Sequence, residues 1–437
     1  MLLELLLVWV ALFAALMVFA IGRPAEGGAL TLAYFLGVSM IHVPGVLPFL
    51  GSGSGLDDQD ATEIGFGMTI LGMAAYIAGA VLARRRVAAT SSPTRRRAAA
   101  FEHLGWRALL LGVVAYFVLL PLSFRVPSLT SVVSPLGTVL ILGFWLVLYY
   151  AAMAANRLRT LAMLALLPLL PIVTSVTGGI FGYGIYWDLS VVAFLFVITR
   201  RRIWFYLSAP AVIYFGLSFF VTYIDQRAGI RELVWQERTG LLNRLERASA
   251  IVTDFEFFDW DSHAHATALD DRLNQSALDG AAVIYHEDGL APFAFGSTVS
   301  PWDLIPRVIW PDKPEIGGGS DIVIRFAGTP VSDGSSFGAG QVLEFYVNFG
   351  IPGVLIGFCG LGYLLMRLDR SIMRSLATGD TRRFLLRAMP GLTLLQPQGN
   401  LREILVACVA ACLVAQGIAS LRFFDVPMAA RSRGQPA

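Results

Sequence analysis

Lysine is almost missing from this chain, which contains 437 residues and a single lysine, Lys313. Cysteine is scarce as well, since three residues occur and each lies within an apolar run: Cys359, Cys408 and Cys412. This scarcity argues against a disulfide framework or a cysteine-based metal site. Charged residues make up 15% of the chain and hydrophobic residues 56%, a balance that excludes an ordinary soluble globular protein.

Long apolar runs are abundant instead, and many reach about 20 residues, the length of a helix that crosses the hydrocarbon core of a bilayer. The runs are continuous rather than alternating, which favours helices over the strands of a membrane barrel. The candidate spans are residues 2–21, 29–50, 63–83, 104–123, 134–154, 160–177, 181–199, 203–223, 342–365, 384–398 and 402–420. We therefore predict an all-α polytopic integral membrane protein with about 11 transmembrane helices.

The distribution of arginine predicts how these spans are oriented, because cytoplasmic loops carry an excess of positive charge. Arginine clusters follow the third, fifth, seventh, ninth and last candidate spans. All of them lie on one side if the N-terminus is outside, the C-terminus is inside and the weakest segment, 384–398, crosses the membrane. That segment is short and contains Arg387 and Pro390. The long segment 224–341 then lies on the opposite, outer side.

This topology divides the chain into three parts. They are an N-terminal transmembrane bundle (1–223), a long outer loop with short helices (224–341), and C-terminal transmembrane helices with a cytoplasmic tail (342–437). Within the loop, residues 230–250 have apolar side chains on one face, which predicts a helix that lies on the membrane surface or packs on the bundle. Residues 267–284 are typical of a second short helix. Residues 296–341 are rich in Gly, Pro, Ser and Asp and are predicted to be irregular.

One stretch of the loop reads S-P-W-D-L-I-P-R-V-I-W-P-D-K-P and holds two cations, Arg307 and Lys313, among prolines and tryptophans. Pro306 fixes the backbone before Arg307, and the apolar neighbours leave that guanidinium little water. A planar fork of donors in such surroundings suits phosphate or diphosphate oxygens. An ion pair is the ordinary alternative for such cations, as with Asp312 or Glu315 beside Lys313.

The start of the ninth span carries Glu344, with Asn348 one turn later. An ionisable residue in a membrane segment is costly and is by default a candidate functional residue. Glu344 would act as a general base or orient an arginine such as Arg402, which begins the final span. The alternative for Arg402 is an ordinary flanking cation that extends to the interface. Arg272 and Arg325, both in the loop, and Asn348 are further candidates for binding diphosphate or sugar.

Two other patterns are weaker. The run D-W-D-S-H-A-H at 259–265 combines carboxylates with imidazoles, but its spacing matches no strong zinc signature. The glycine run at 317–320 lacks the preceding strand and the G-K-[ST] ending of a nucleotide phosphate loop. We predict no metal, no cofactor and no nucleic-acid partner.

Two motifs together resemble a known family. The segments I-P-R-V-I-W-P-D-K-P (305–314) and G-A-G-Q-V-L-E-F-Y-V-N-F-G-I-P-G (338–353) are similar to those of the O-antigen polymerase (Wzy-type) family of oligosaccharide repeat-unit polymerases. That family has a long periplasmic loop late in the chain, a P-R…P-x-K-P motif, and an E-x-Y-x-N-x-G-type motif that begins the next helix.

The resemblance implies a multi-pass protein of the bacterial inner membrane, GT-C-like in fold, with its active site facing the periplasm. It implies a metal-independent glycosyltransferase that moves a glycan from an undecaprenyl (polyprenyl) diphosphate carrier onto a lipid-linked repeat unit of lipopolysaccharide O-antigen or exopolysaccharide. By this likeness, Arg307 and Lys313 are the cations of the first motif and Glu344 is the acid of the second. The expected partners are lipid-linked oligosaccharides, the bilayer, and flippase and chain-length regulator proteins.

Other functions stay open at this point. An O-antigen ligase or another lipid-linked sugar transferase would share the fold and the cations, although the ligases use a histidine that has no obvious counterpart here. A polysaccharide transporter or flippase predicts two related halves and charge near the bilayer centre, and the sequence displays neither. A non-enzymatic scaffold explains the clustered cations least well.

Overall fold

The computed structural model describes residues 1–22, 27–50, 58–84, 95–123, 130, 133–178, 181–199, 202–232, 243, 253–305, 309–310, 312, 318–331 and 338–421. Within these ranges the regular structure is entirely helical, and no strand occurs. The predicted all-α class is therefore confirmed. The predicted helix at 230–250 falls almost wholly outside the described residues, as does the C-terminal tail beyond residue 421.

Most of the long helices follow the apolar runs, and several helices begin or end at a capping residue. In chain order they are α1 (Leu2–Gly22), α2 (Ala29–Val46), α3 (Gln59–Ala83), α4 (Arg95–Val114), α5 (Gly137–Met153), α6 (Arg157–Ala165), α7 (Leu169–Gly178), α8 (Phe181–Ile198), α9 (Ile203–Arg231), α10 (His263–Leu273), α11 (Gln275–Glu287), α12 (Gly319–Ala327), α13 (Gln341–Thr378), α14 (Thr381–Thr393) and α15 (Leu401–Ser420). Asn156, Ser262, Asn274 and Asp380 each accept a backbone N–H of the first turn that follows. Gly379 has a φ of 81° and ends α13 in the left-handed conformation that glycine favours.

Ten segments within the described part of the chain are long and apolar enough to cross a membrane. They are Leu2–Gly22, Ala29–Leu50, Gln59–Ala83, Phe101–Ser123, Ser134–Met153, Arg157–Thr177, Phe181–Ile198, Ile203–Arg227, Gln341–Thr378 and Leu401–Ser420. They coincide with ten of the eleven predicted spans, so the protein is a multi-pass, helical membrane protein.

The eleventh predicted span, 384–398, takes a different form. Its helix α14 has 13 residues, which at about 1.5 Å per residue is shorter than the hydrocarbon core of a bilayer. Pro390 and the sequence that follows end the helix, and residues 394–400 are not helical. The chain nevertheless returns to the start of α13, because the Gln341 N–H donates to the Pro397 carbonyl oxygen at 3.0 Å. A helical span at this position was therefore predicted wrongly, although the return of the chain is observed.

Helix α13 is broken near its start. Phe349 and Gly350 have non-helical dihedral angles, and Gly350 has a φ of 63°. The chain reverses there, since a β-carbon at Gly353 would overlap the carbonyl oxygen of Phe345. We call residues 341–348 the half-helix. It packs against the long part of α13 that follows it.

The half-helix lies among the membrane spans, and its first residue contacts α2. Tyr34, in α2, donates from its hydroxyl to Gln341 Oε1 at 2.7 Å. The non-helical backbone before the half-helix is satisfied by side chains: Ala339 N–H donates to Asn400 Oδ1 at 2.9 Å, and Gln275 Nε2, at the start of α11, donates to the Ala339 carbonyl oxygen at 2.9 Å. Irregular backbone at membrane depth is tolerated only with such internal partners.

Helix α3 is the element on which the site rests. Gly65, Gly72 and Gly79 recur every seven residues and form one seam of α3. A β-carbon at Gly65 would overlap the Ser276 carbonyl oxygen of α11, and one at Gly79 would overlap the Cys359 carbonyl oxygen of α13. Small residues allow this close approach of helices, as is common in membrane bundles.

The end of the bundle away from residues 253–331 is held together by charged groups. The buried Asp369 of α13 accepts the N–H groups of Leu30 and Thr31 at 2.9 and 3.0 Å, and so caps the start of α2. Arg370 donates to the Ala83 carbonyl oxygen at 2.6 Å, and Arg84 lies over the Phe19 ring. The ends of α1 and α3, the start of α2 and the late part of α13 therefore share one side, as the arginine pattern predicts.

Candidate functional site

The centre of the candidate site is Glu344, in the second turn of the half-helix. Its side chain is fully buried, with an exposed fraction of 0%. Carboxylate Oε2 accepts the N–H of Leu401, the first residue of α15, at 2.6 Å. Oxygen Oε1 is also buried and forms no hydrogen bond of ordinary geometry with a described group, although the Thr298 hydroxyl lies near the carboxyl group. A buried carboxyl oxygen without a partner is costly, and such oxygens are commonly kept where they act.

Asn348 joins the half-helix to the outer loop. Its Nδ2 donates to Thr298 Oγ1 at 2.8 Å and to the Glu344 carbonyl oxygen at 2.7 Å. Its Oδ1 accepts the Gly296 N–H at 2.7 Å. Three of the four hydrogen-bonding positions of this amide are thus used, and two of them hold loop residues over the start of α13. Asn348 fixes the position of Thr298 beside Glu344.

The start of α15 supplies the polar groups on the other side. Arg402 Nε lies 3.0 Å from Asp303 Oδ1, and the Asp303 side chain is only 3% exposed. Asn400 Nδ2 donates to Glu403 Oε1 at 2.9 Å. The loop, the half-helix and α15 therefore meet through three carboxylates, one guanidinium and two amides.

A cavity of about 370 Å³ opens at this meeting point. Its lining residues are Ser134, Pro135, Thr298, Asp303, Gly318, Ile322, Asn400, Arg402, Glu403, Val406 and Ala407. The cavity is of the size that proteins use for small molecules and parts of larger ligands. Glu344 lies behind its wall, in contact with Leu401 between two lining residues.

A second layer of buried polar groups supports the half-helix from α11. Asp279 is 1% exposed, and its carboxyl accepts the Leu343 N–H and the Thr69 hydroxyl, the latter at 3.4 Å. His42 Nδ1 lies 2.9 Å from Ser276 Oγ and 3.8 Å from Asp279 Oδ2. Burial raises the pKa of Asp279 well above its usual value of 3.8, and the two hydrogen bonds lower it by less. Asp279 caps the half-helix one residue before Glu344.

Three of the seven residues predicted for the site meet here. Glu344 and Asn348 lie one turn apart on the half-helix, and Arg402 reaches the same cavity from α15. Two others, Arg272 and Arg325, are exposed and do not line the cavity; Arg325 pairs with Asp321 at 3.7 Å within α12. Their proposed binding roles stay predictions.

The remaining two predicted residues, Arg307 and Lys313, lie outside the described residues. The chain on each side of them is described, and both ends lie at the cavity, because Asp303 and Gly318 are lining residues. The stretch that carries the two cations thus begins and ends at the candidate site.

Sequence reasoning missed Thr298, Asp303, Asn400, Glu403 and Asp279. Two of them had local signals. Asp303 completes a capping box with Ser300, since the side chain of each accepts a backbone N–H from the other end of the turn. Asn400 stands directly before the apolar run of α15, the usual place of a cap, although no cap hydrogen bond forms there. Their role at the site depends on contacts between distant segments.

The acidic and histidine-rich run 259–265 forms a local turn. His265 Nδ1 accepts the Asp259 N–H at 3.0 Å, and the Ser262 hydroxyl accepts the His265 N–H at 3.4 Å. Across the described ranges, no group of three or more His, Cys, Asp or Glu side chains is close enough to hold a metal ion.

Comparison with known proteins adds no identity. No protein-family model matches the chain, and no curated protein or solved structure matches it significantly.

Proposed function

We propose that this protein is a membrane glycosyltransferase that transfers a glycan from a polyprenyl diphosphate carrier onto a second lipid-linked oligosaccharide. The observation that carries the proposal is Glu344, a fully buried carboxylate with one unpartnered oxygen behind the wall of a polar cavity. The two sequence motifs that resemble those of the repeat-unit polymerases contribute its chemistry, since Glu344 and Asn348 belong to the second of them.

The proposed step is a substitution at the anomeric carbon of the donor glycan. The acceptor hydroxyl oxygen forms the new glycosidic bond, and its proton passes to Glu344 Oε1. The bond between the anomeric carbon and the diphosphate oxygen breaks, and its electron pair leaves with the polyprenyl diphosphate. Holding both lipid carriers beside one cavity makes this bimolecular step an oriented one.

Cations stabilise the charge that builds on the leaving diphosphate. Arg402 lines the cavity, and the stretch with Arg307 and Lys313 starts and ends at it. Guanidinium donors bind phosphate oxygens in a fixed geometry, and they stabilise developing charge most where water is excluded. We assign the diphosphate to these three residues.

The test is polymer length in cells that lack the native gene and express a variant. We expect Glu344→Gln to stop elongation, so that only single repeat units reach the final acceptor, because the amide cannot take the proton. Arg402→Ala should reduce elongation about a hundredfold or more, the usual loss on removing one charge-stabilising donor. Immunoblots of membranes check that each variant accumulates normally.

Glu256→Gln is the matched control, since Glu256 has a 66% exposed side chain beside His265 and lies outside the cavity. It should leave polymer length unchanged. Normal polymer from Glu344→Gln, or from Arg307→Ala, at normal membrane levels would contradict the proposal.

A transporter or flippase for the same kind of substrate is the second candidate, and the half-helix favours it. Broken helices whose N-termini lie within the membrane bind anionic groups in secondary transporters. For that function, Glu344→Gln would abolish movement of the lipid-linked unit across the membrane. The transferase proposal expects this movement to be intact and only chain growth to be lost.

A further inference from the structure

The described residues that line the cavity carry more negative charge than positive charge. Among the described residues that line it, Asp303 and Glu403 are acids and Arg402 is the only cation. Arg402 is already 3.0 Å from Asp303, so part of its charge is neutralised within the protein. Glu344 adds a third carboxyl group behind the wall.

Such a cavity is poorly matched to a diphosphate. A carboxylate only accepts hydrogen bonds, and so does an ionised phosphate, so the two repel and neither supplies a proton to the other. Sugar hydroxyls, in contrast, are donors, and carboxylates hold them with charge-assisted hydrogen bonds.

The remaining lining residues also fit a sugar ring. Pro135, Ile322, Val406 and Ala407 contribute apolar groups to the lining, and Thr298 and Asn400 contribute neutral polar groups. A sugar ring has C–H groups on its faces and hydroxyl groups around its edge, so it needs both kinds of surface. A volume of about 370 Å³ lies within the range of protein sites for small ligands.

We infer that the cavity between the loop, the half-helix and α15 is a sugar subsite that holds the terminal sugar of the acceptor, and that the donor diphosphate binds outside it. Glu403 and Asp303 accept hydrogen bonds from the sugar hydroxyls. Arg402 stands at the boundary, paired with Asp303 on the sugar side. The identification of this sugar as part of the acceptor rests on the proposed function. Binding of a sugar by the cavity does not depend on catalysis.

The experiment measures two affinities of the purified full-length protein in lipid nanodiscs. One probe is a lipid-free oligosaccharide, prepared by hydrolysing the surface polysaccharide of the host. The other is undecaprenyl diphosphate without sugar. Glu403→Gln should weaken binding of the oligosaccharide roughly tenfold or more, because it removes a charge-assisted acceptor. It should leave the affinity for undecaprenyl diphosphate within about twofold of the wild type.

A second variant tests the volume rather than the charge. Ala407→Phe places an aromatic ring in the cavity from α15. Ala407 is not among the buried residues of that helix, so we expect the protein to fold with the larger side chain. We expect it to abolish oligosaccharide binding and to retain binding of undecaprenyl diphosphate, which also demonstrates that the variant is folded. Glu256→Gln again serves as the matched control and should bind both probes normally.

Two results would overturn the inference. The first is that Glu403→Gln leaves oligosaccharide affinity unchanged while it strengthens binding of undecaprenyl diphosphate, which would place the diphosphate in the cavity. The second is that the wild type does not bind the oligosaccharide at all. Oligosaccharide binding that responds to both variants, in a protein that never elongates a polymer, would instead remove the proposed function and leave the sugar subsite in place.

Discussion

At the scale of single residues, the structure explains why Glu344 has its particular position. Three independent contacts fix it: Leu401 from α15, Asn348 from the next turn, and Asp279, which caps the preceding residue from α11. A catalytic carboxylate needs such support, because small displacements of a reacting group cost rate. Asp279 is therefore a positioning residue for Glu344.

Protonation of the buried Asp279 makes the stability of the protein depend on pH. Burial raises the pKa of this carboxyl above 3.8, so folding takes up a proton at any pH between the unfolded and the folded pKa. The contribution of Asp279 to stability is greatest below the unfolded pKa and falls as the pH rises through this window, by about 1.4 kcal/mol per pH unit. Asp279→Asn should flatten this dependence, as measured by thermal unfolding at pH 5 and pH 7.

Asp279→Leu is the companion variant. It leaves the Leu343 N–H without its acceptor, whereas asparagine retains an oxygen for it. The Thr69 hydroxyl keeps the Gly65 carbonyl oxygen, at 2.9 Å, as an acceptor in both variants. We expect the free energy of unfolding of the leucine variant to be lower than that of the asparagine variant by roughly 1–3 kcal/mol. Its unfolding temperature should fall accordingly. Equal stability of the two variants at pH 7, with an unchanged pH slope, would disprove the capping role.

At the scale of elements, close helix packing decides how α11 and α13 lie on α3. The glycine seam of α3 lets the backbones of α11 and α13 approach its own backbone closely. The break at Phe349–Gly350 folds the half-helix back against the rest of α13. The result is a short helix whose start faces the start of α15. Neither helix alone contains a site.

Substitutions along α3 test this seam. Gly79→Leu puts a side chain against the Cys359 backbone and should destabilise the protein by roughly 1–3 kcal/mol through overpacking. Gly67→Leu, on the same helix, meets no atom within 4 Å of its β-carbon and should be neutral or slightly stabilising, because leucine favours helices. Thermal midpoints in detergent micelles give the comparison. A larger loss at Gly67 than at Gly79 would contradict the packing described.

At the scale of the whole molecule, the site lies on the side of the bundle that carries residues 253–331. The buried Asp369 and the arginines Arg84 and Arg370 lie on the other side. From the positive-inside rule we expect that second side to be cytoplasmic and the site to face outward. This orientation would give the proposed transferase access to carriers in the outer leaflet.

Cysteine labelling tests the orientation. With Cys359, Cys408 and Cys412 replaced by alanine, the exposed positions Asp288 and Thr378 are changed singly to cysteine. A membrane-impermeant maleimide should label the Asp288→Cys variant in intact spheroplasts and the Thr378→Cys variant only after lysis. The reverse pattern would place the candidate site on the cytoplasmic side.

The sequence by itself determined the class of fold. Apolar runs of about 20 residues must become helices in a bilayer, because no other open structure satisfies the backbone there, and ten of the predicted spans follow from that constraint. It also indicated Glu344 and Arg402 as candidate site residues, because placing an ionisable side chain in a membrane segment costs free energy and suggests a functional reason.

Only the tertiary structure decided which residues meet. The contact between Glu344 and Leu401 joins positions 57 residues apart, and that between Thr298 and Asn348 joins positions 50 residues apart. The break in α13 and the short, interrupted return of the chain through α14 also escaped the sequence pattern. Average hydrophobicity records how much apolar surface a segment has. It carries no information about where a helix stops inside the bundle, because neighbouring chains supply the hydrogen bonds that allow the backbone to leave the helix there.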